Sequence, residues 1–161
     1  MNETLRQATH PRGFSLDVPA QWSHQRDAAP GIPFVSIADD DFGTNFRDNI
    51  VCTIAPTGGL AFRDWQRGVD DLLARTLDGW LLLDLETYEL DGCPAVRRLG
   101  HHVTDQGIAV TLDQWVVQQG DAGLTVTLTA ATAGYDAIAD LAASIGSSIR
   151  VTTLEPEVSS T

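Results

Sequence analysis

The sequence predicts an α+β protein, with a mostly antiparallel sheet of six to seven strands and helices packed on it. Three observations carry that reading. Residues 81–132 hold four strand-like runs joined by short Gly/Asp-rich links, two further stretches have a helical apolar stripe, and nowhere do strands and helices alternate in βαβ units. The runs are LLLDLETYEL (81–90), AVRRLGHHVT (95–104), IAVTLDQWVVQ (108–118) and GLTVTLTAAT (123–132). Asp91-Gly92-Cys93, Asp105-Gln106-Gly107 and Gly120-Asp121-Ala122 lie between them, residues that let a chain reverse between antiparallel strands.

In chain order, residues 1–12 read as a polar lead-in. Phe14–Val18 alternates and meets Pro19, so it is a short strand near an edge. Residues 19–32 are a Pro/Gly-punctuated loop anchored by Trp22, and residues 34–38 form a second short strand. An acidic, turn-rich loop covers 39–45, and Asn49–Ala55 is a third strand closed by Pro56. The first helix begins after Gly58-Gly59 and runs to about Leu77, its stripe being Phe62, Trp65, Val69, Leu72, Leu73, Thr76 and Leu77. Asp71 and Arg75 are a favourable i,i+4 pair on its other side, and Asp78-Gly79 ends it. A second helix covers Tyr135–Ser148, with Tyr135, Ile138, Leu141, Ala142, Ile145 and Ile149 on one face. The expected organisation is one domain over 1–150 and a polar tail over 151–161, frayed or extended.

Matching apolar residues across the links gives an expected register. Leu85 falls opposite Leu99, Leu99 opposite Leu112, Val116 opposite Val126 and Leu112 opposite Ala130. One face is then a core of Leu81, Leu83, Leu85, Leu99, Val103, Ile108, Val110, Leu112, Val116, Leu124, Val126 and Leu128. The other face carries a row of Glu86, Arg98, Asp113 and Thr129 beside a row of Tyr88, Val96, Trp115 and Thr127. It reads either as a solvated, self-neutralising outer face or as a platform that binds a partner, which makes Tyr88, Arg98 and Trp115 the candidate binding residues.

Composition narrows the function classes. The 161-residue chain is long enough to bury about 70% of its unfolded surface. A net charge of −12 opposes binding to nucleic acid or to an anionic membrane surface, both of which need clustered cations. All ten cations are arginine, so Schiff-base, P-loop-lysine and Ser–Lys chemistries are excluded. No stretch reaches the ~20 apolar residues of a membrane span. Because MNETLRQATHPRG lacks an apolar core segment, the expected location is the cytoplasm, or the cell envelope for a trimmed mature form. Cys52 and Cys93 read as two reduced thiols in that compartment, and could pair in a secreted chain.

The chemical motifs are weak. Asp39-Asp40-Asp41 suggests calcium, but an EF-hand loop started at Asp39 would need Gly where Thr44 stands and Glu where Ile50 stands. His101 and His102 are neighbours on a strand, so they point to opposite faces and cannot chelate together, while His10 and His24 fall in loops. Neither cysteine nor any serine sits in a nucleophile motif, and Gly58-Gly59 lacks phosphate-loop spacing. Glu86 and Asp113 could form an acid–base pair, yet Arg98 between them would hold both ionised. No enzyme, cofactor or metal is implied.

The order of several segments resembles a known group. They are Gly13-Phe14-Ser15-Leu16-Asp17-Val18-Pro19-Ala20-Gln21-Trp22, then residues 45–54 (NFRDNIVCTI), then Leu60-Ala61-Phe62-Arg63-Asp64-Trp65 opening a helix. Leu90-Asp91-Gly92-Cys93-Pro94-Ala95, a three-strand meander and a closing helix follow. Over residues 13–150 this is similar to the PsbP/Mog-type α/β/α sandwich group, and within it to the actinobacterial LpqN-type lipoproteins. The resemblance implies an antiparallel sheet between helices and a non-catalytic adaptor or chaperone-like role. Relatives of that kind include photosystem accessory subunits, a Ran-binding factor and type VI secretion effector chaperones. The implied partner is another protein, with a homodimer left open, and the runner-up role is a carrier of a small apolar ligand held between sheet and helix. A lipobox cysteine is missing near the start, which favours a cytoplasmic relative. Helices on both sheet faces would bury part of the Glu86–Arg98–Asp113 row. That is tolerable only if the charges bond one another; otherwise the register slips by one near Gly100 or Pro94.

Overall fold

The computed structural model describes residues 3–156. In chain order the elements are β1 (Leu5–His10), β2 (Phe14–Pro19), β3 (Ser23–Ala29), β4 (Ile32–Ile37), β5 (Asn49–Pro56), α1 (Phe62–Thr76), β6 (Asp78–Leu90), β7 (Cys93–Val103), β8 (Ala109–Gln119), β9 (Ala122–Ala131), a 3-10 turn (Thr132–Gly134), α2 (Tyr135–Ser148) and β10 (Arg150–Val151). Seven strands form the main sheet in the order β3-β4-β5-β9-β8-β7-β6, and β1-β2-β10 form a small second sheet. Every pairing is antiparallel, so the expected α+β class and the meander over β6–β9 are both present.

The register differs from the expected one by a single residue at all three links. Leu90 pairs with Cys93, leaving only Asp91-Gly92 in the turn, both at positive φ (49° and 80°), as a two-residue type I′ hairpin requires. Gln119 pairs with Ala122 across Gly120-Asp121, and Val103 pairs with Ala109 across five residues rather than four. Leu85 therefore faces Arg98, Leu99 faces Asp113, Leu112 faces Thr129 and Val116 faces Thr125. A one-residue slip turns a strand's side chains over. The single apolar face is replaced by two.

Each face has its own cover. Trp115, Val117, Leu124, Val126 and Leu128 share a face with Ile50 and Cys52, and join one buried cluster with β2, α2 and Val151. At Gly146 of α2 the chain comes so close to the sheet that a Cβ would lie 2.3 Å from Trp115 Nε1. Val96, Val110, Leu112 and Val116 lie on the opposite face, where α1 packs. There Trp65 of α1 occupies the space above Gly123, and Trp80 that above Gly100. Being covered on both sides, β8 is buried from Val110 to Gln118.

Some expectations fail at the margins. The polar sequences LRQATH and SHQRDAA, expected as lead-in and loop, are strands β1 and β3, so His10 and His24 lie on strands. Both strands sit at sheet edges, where open faces remove the alternation that would mark them. Of the expected core, Leu81, Leu83 and Leu85 are exposed (56%, 46% and 41%) because β6 is the outermost strand. Residues 151–156 pack rather than fray: Val151 pairs with Phe14, Leu154 is buried, and Glu155 N donates to Arg12 O at 2.9 Å. The rest of the tail, 157–161, lies outside the described residues.

Two helix glycines predict opposite signs for one substitution. Gly68 in α1 has open space where a Cβ would go, so Gly68→Ala should stabilise by about 1 kcal/mol. Gly146→Ala must displace the Trp115 indole, and should destabilise by about 1–3 kcal/mol. Urea unfolding of the two variants checks both signs.

Candidate functional site

Arg97 and Arg98 are neighbours on β7, so they point to opposite faces. Arg98 is 0% exposed and reaches towards α1. Its Nε donates to Asp70 Oδ1 (2.7 Å), its Nη2 to Gln66 Oε1 (2.9 Å) and its Nη1 to Gln114 Oε1 on β8 (2.7 Å). A guanidinium taken out of water is costly unless its nitrogens are satisfied and a counter-charge is close. Here all three nitrogens have acceptors. Gln66 is the buried residue of α1, so a polar cluster, together with Trp65 over Gly123, holds that helix down.

Arg97 serves the other face. Its Nε and Nη2 donate to the two oxygens of buried Asp113, both at 2.9 Å, and Tyr135 Oη donates to Asp113 Oδ2 at 2.8 Å. Tyr135 is the first residue of α2, so this cluster fixes the start of the helix to β7 and β8. Burial, helped by the bond to Asp113, pushes the Tyr135 phenol up to about 12. The same carboxylate raises Arg97 above its ordinary value, holding it charged.

The three candidate binding residues are not brought together. Arg98 lies under α1, and Trp115 lies beneath Gly146 of α2 with 6% exposure. Tyr88 stands on β6 and is 38% exposed. The expected Glu86–Arg98–Asp113–Thr129 row does not form, since Glu86 pairs with Arg97, Arg98 with Gln114 and Asp113 with Leu128. Sequence reasoning missed Gln66 and Asp70, four residues apart on one helix stripe. A polar i,i+4 pair interrupting an otherwise apolar stripe was the available signal.

The accessible features are an edge and a cavity. β6 closes one end of the main sheet with 13 residues. From Asp84 to Leu90 its pairing with β7 is regular, and a bulge precedes Asp84. Asp84, Glu86 and Tyr88 share the Arg97 face, whereas Leu85 and Thr87 share the Arg98 face. Leu82 lies beyond the bulge, paired with Gly100. A cavity of about 460 Å³ lies between the 39–45 loop, Trp22 and the start of α2, and Ala38, Ala131, Ala137 and Ile138 form its apolar lining. Among the described residues no three His, Cys, Asp or Glu gather to hold a metal ion. Cys52 and Cys93 are unpaired, and burial pushes the Cys52 thiol well up.

Arg98→Ala should destabilise by about 3–5 kcal/mol, since it leaves Gln66 and Gln114 buried without their partner. Asp70→Asn should cost about 1 kcal/mol, because the Asp70 side chain is about one-third exposed and can rehydrate. Urea titration gives both values. Tyr135 predicts an alkaline limit. Its folded value lies above the ordinary 10, so its contribution is complete below pH 10 and is lost as pH rises towards 12. Tyr135→Phe should flatten stability over that interval, as followed by thermal unfolding.

No protein-family model matches the chain, and no curated protein sequence does. Solved structures match over most of its length. PsbP of the cyanobacterium Synechocystis is 16% identical with a TM-score of 0.67, covering 94% of this chain and 95% of its own. LpqN of Mycobacterium tuberculosis, involved in cell envelope biogenesis, is 20% identical with a TM-score of 0.68, covering 92% and 91%. PA94 of Pseudomonas aeruginosa, a protein of unknown function, is 17% identical with a TM-score of 0.62, covering 85% and 90%. Among the described residues no helix is long and apolar enough to cross a membrane. The seven-stranded antiparallel sheet with its two helices is a PsbP-like fold, and LpqN is a close structural neighbour.

Proposed function

We propose that the chain is a non-catalytic module that binds another protein by adding a strand to β6. The observation that carries this is the outer edge itself: 13 residues long, with Leu81, Leu82, Leu83 and Leu85 in solvent. A long apolar edge strand is a template for pairing unless something covers it. The regular stretch from Asp84 to Leu90 also sets the chemistry of the added strand. Alternate residues of the partner would lie beside Asp84 and Glu86 on one face and beside Leu85 on the other. An extended segment that alternates arginine or lysine with aliphatic residues fits both, and the net charge of −12 would speed its approach. Tyr88, on the acidic side, is the aromatic anchor of this reading.

The chain resembles in fold a protein involved in cell envelope biogenesis, so envelope proteins are the first partners to test. A small-ligand carrier is the second reading, favoured by the cavity beside α2.

Calorimetric titration with a peptide alternating arginine and valine should show binding that falls at least about tenfold in an Asp84→Lys/Glu86→Lys variant. A matched glutamate–valine peptide should give no heat. Equal affinity for both forms of the protein, or a stable dimer in sedimentation that excludes the peptide, sinks the reading.

A further inference from the structure

We infer that the cavity beside α2 is a binding site for a small organic cation, an ammonium group carried on a short apolar body. The inference changes the chemistry of the carrier reading and stands independently of β6. Its lining divides in two. Trp22, Ala38, Ala131, Ala137 and Ile138 make the apolar part, while Glu3, Asp40, Asp41 and Asp48 bring four acidic residues to the same cavity. No arginine or histidine lines it, and no ion pair reaches any of these four acids among the described residues.

Two further observations favour a positive occupant. Phe42 is among the lining residues and is 83% exposed, so a large apolar side chain stands in water at this cavity. An aromatic ring so placed is of the kind that attracts an ammonium group. Asp48 is half-buried and accepts one long bond, from Ala131 N at 3.3 Å. Burial raises its carboxyl, and the neighbouring Glu3 charge adds to that. A neutral ligand would deepen this desolvation without a counter-charge, and an anion would meet four like charges. An ammonium group relieves both.

The test titrates the full chain at pH 7 with octylammonium, octanol and octanoate, one chain length with three head groups, and follows backbone amide shifts. Octylammonium should bind at least about tenfold more tightly than octanol, and octanoate should not bind, with shifts confined to Trp22, Phe42, Ala131 and Ile138. Asp48→Asn should weaken octylammonium about tenfold; should that variant misfold, the loop pair Asp40→Asn/Asp41→Asn gives the same reading. Asp64→Asn/Asp71→Asn, on the outer side of α1, should leave it unchanged. Octanol binding as tightly as octylammonium would make the site an apolar one and overturn the inference. An equal loss in the α1 variant would reduce the effect to general attraction by an acidic protein, and would also overturn it. Binding of the arginine–valine peptide at β6, measured in parallel, is indifferent to every one of these outcomes.

Discussion

The pairing of Leu90 with Cys93 across Asp91-Gly92 sets where every later side chain points. With two residues in that turn, Arg97 faces α2 and Arg98 faces α1. Each arginine then finds an acceptor from the helix on its side or from the strand that helix rests on. Had the turn held three residues, Arg97 rather than Arg98 would have been turned toward Gln66 and Asp70 of α1, leaving that helix without its cation. The α1–sheet–α2 layering thus rests on a hairpin register, and the hairpin rests on two residues that tolerate positive φ.

Two-sided cover also explains what the sequence hid. The antiparallel meander was legible, because Gly/Asp links at short intervals leave few alternatives. Both helices were legible from their apolar periodicity. The register was not. Aligning apolar residues on one face assumes that the other is wet, yet here Val110 and Val116 are as buried as Leu124 and Val126. On a sheet covered twice, hydrophobicity no longer distinguishes one face from the other. The surer guide was the Asp-Gly pair, which selects a two-residue turn. Strands β1 and β3 lacked any comparable mark, since their edge positions allow polar residues throughout.

The accessible chemistry was less legible still. Leu81, Leu83 and Leu85 read as core because they are leucines, and only the strand order reveals them at an open end. Trp115 read as a surface aromatic, and Gly146, 31 positions later in the chain, is what closes over it. The acidic 39–45 loop was set aside because its spacing fails for calcium. Folding gives it another context, beside Trp22 and α2, where its charges line an apolar hollow rather than a metal loop.

The way α1 is attached has a consequence for how the molecule comes apart. Apart from Trp65 over Gly123, its buried contact with the sheet runs through a guanidinium, two amides and a carboxylate, groups that water can solvate once the helix lifts. α2, by contrast, contributes Ala142 and Ile145 to the main apolar cluster. The two covers therefore differ in local opening free energy, with α1 the first to detach. Because Leu77 joins it to β6 without an intervening loop, such a detachment would also slacken the adjacent end of the edge strand.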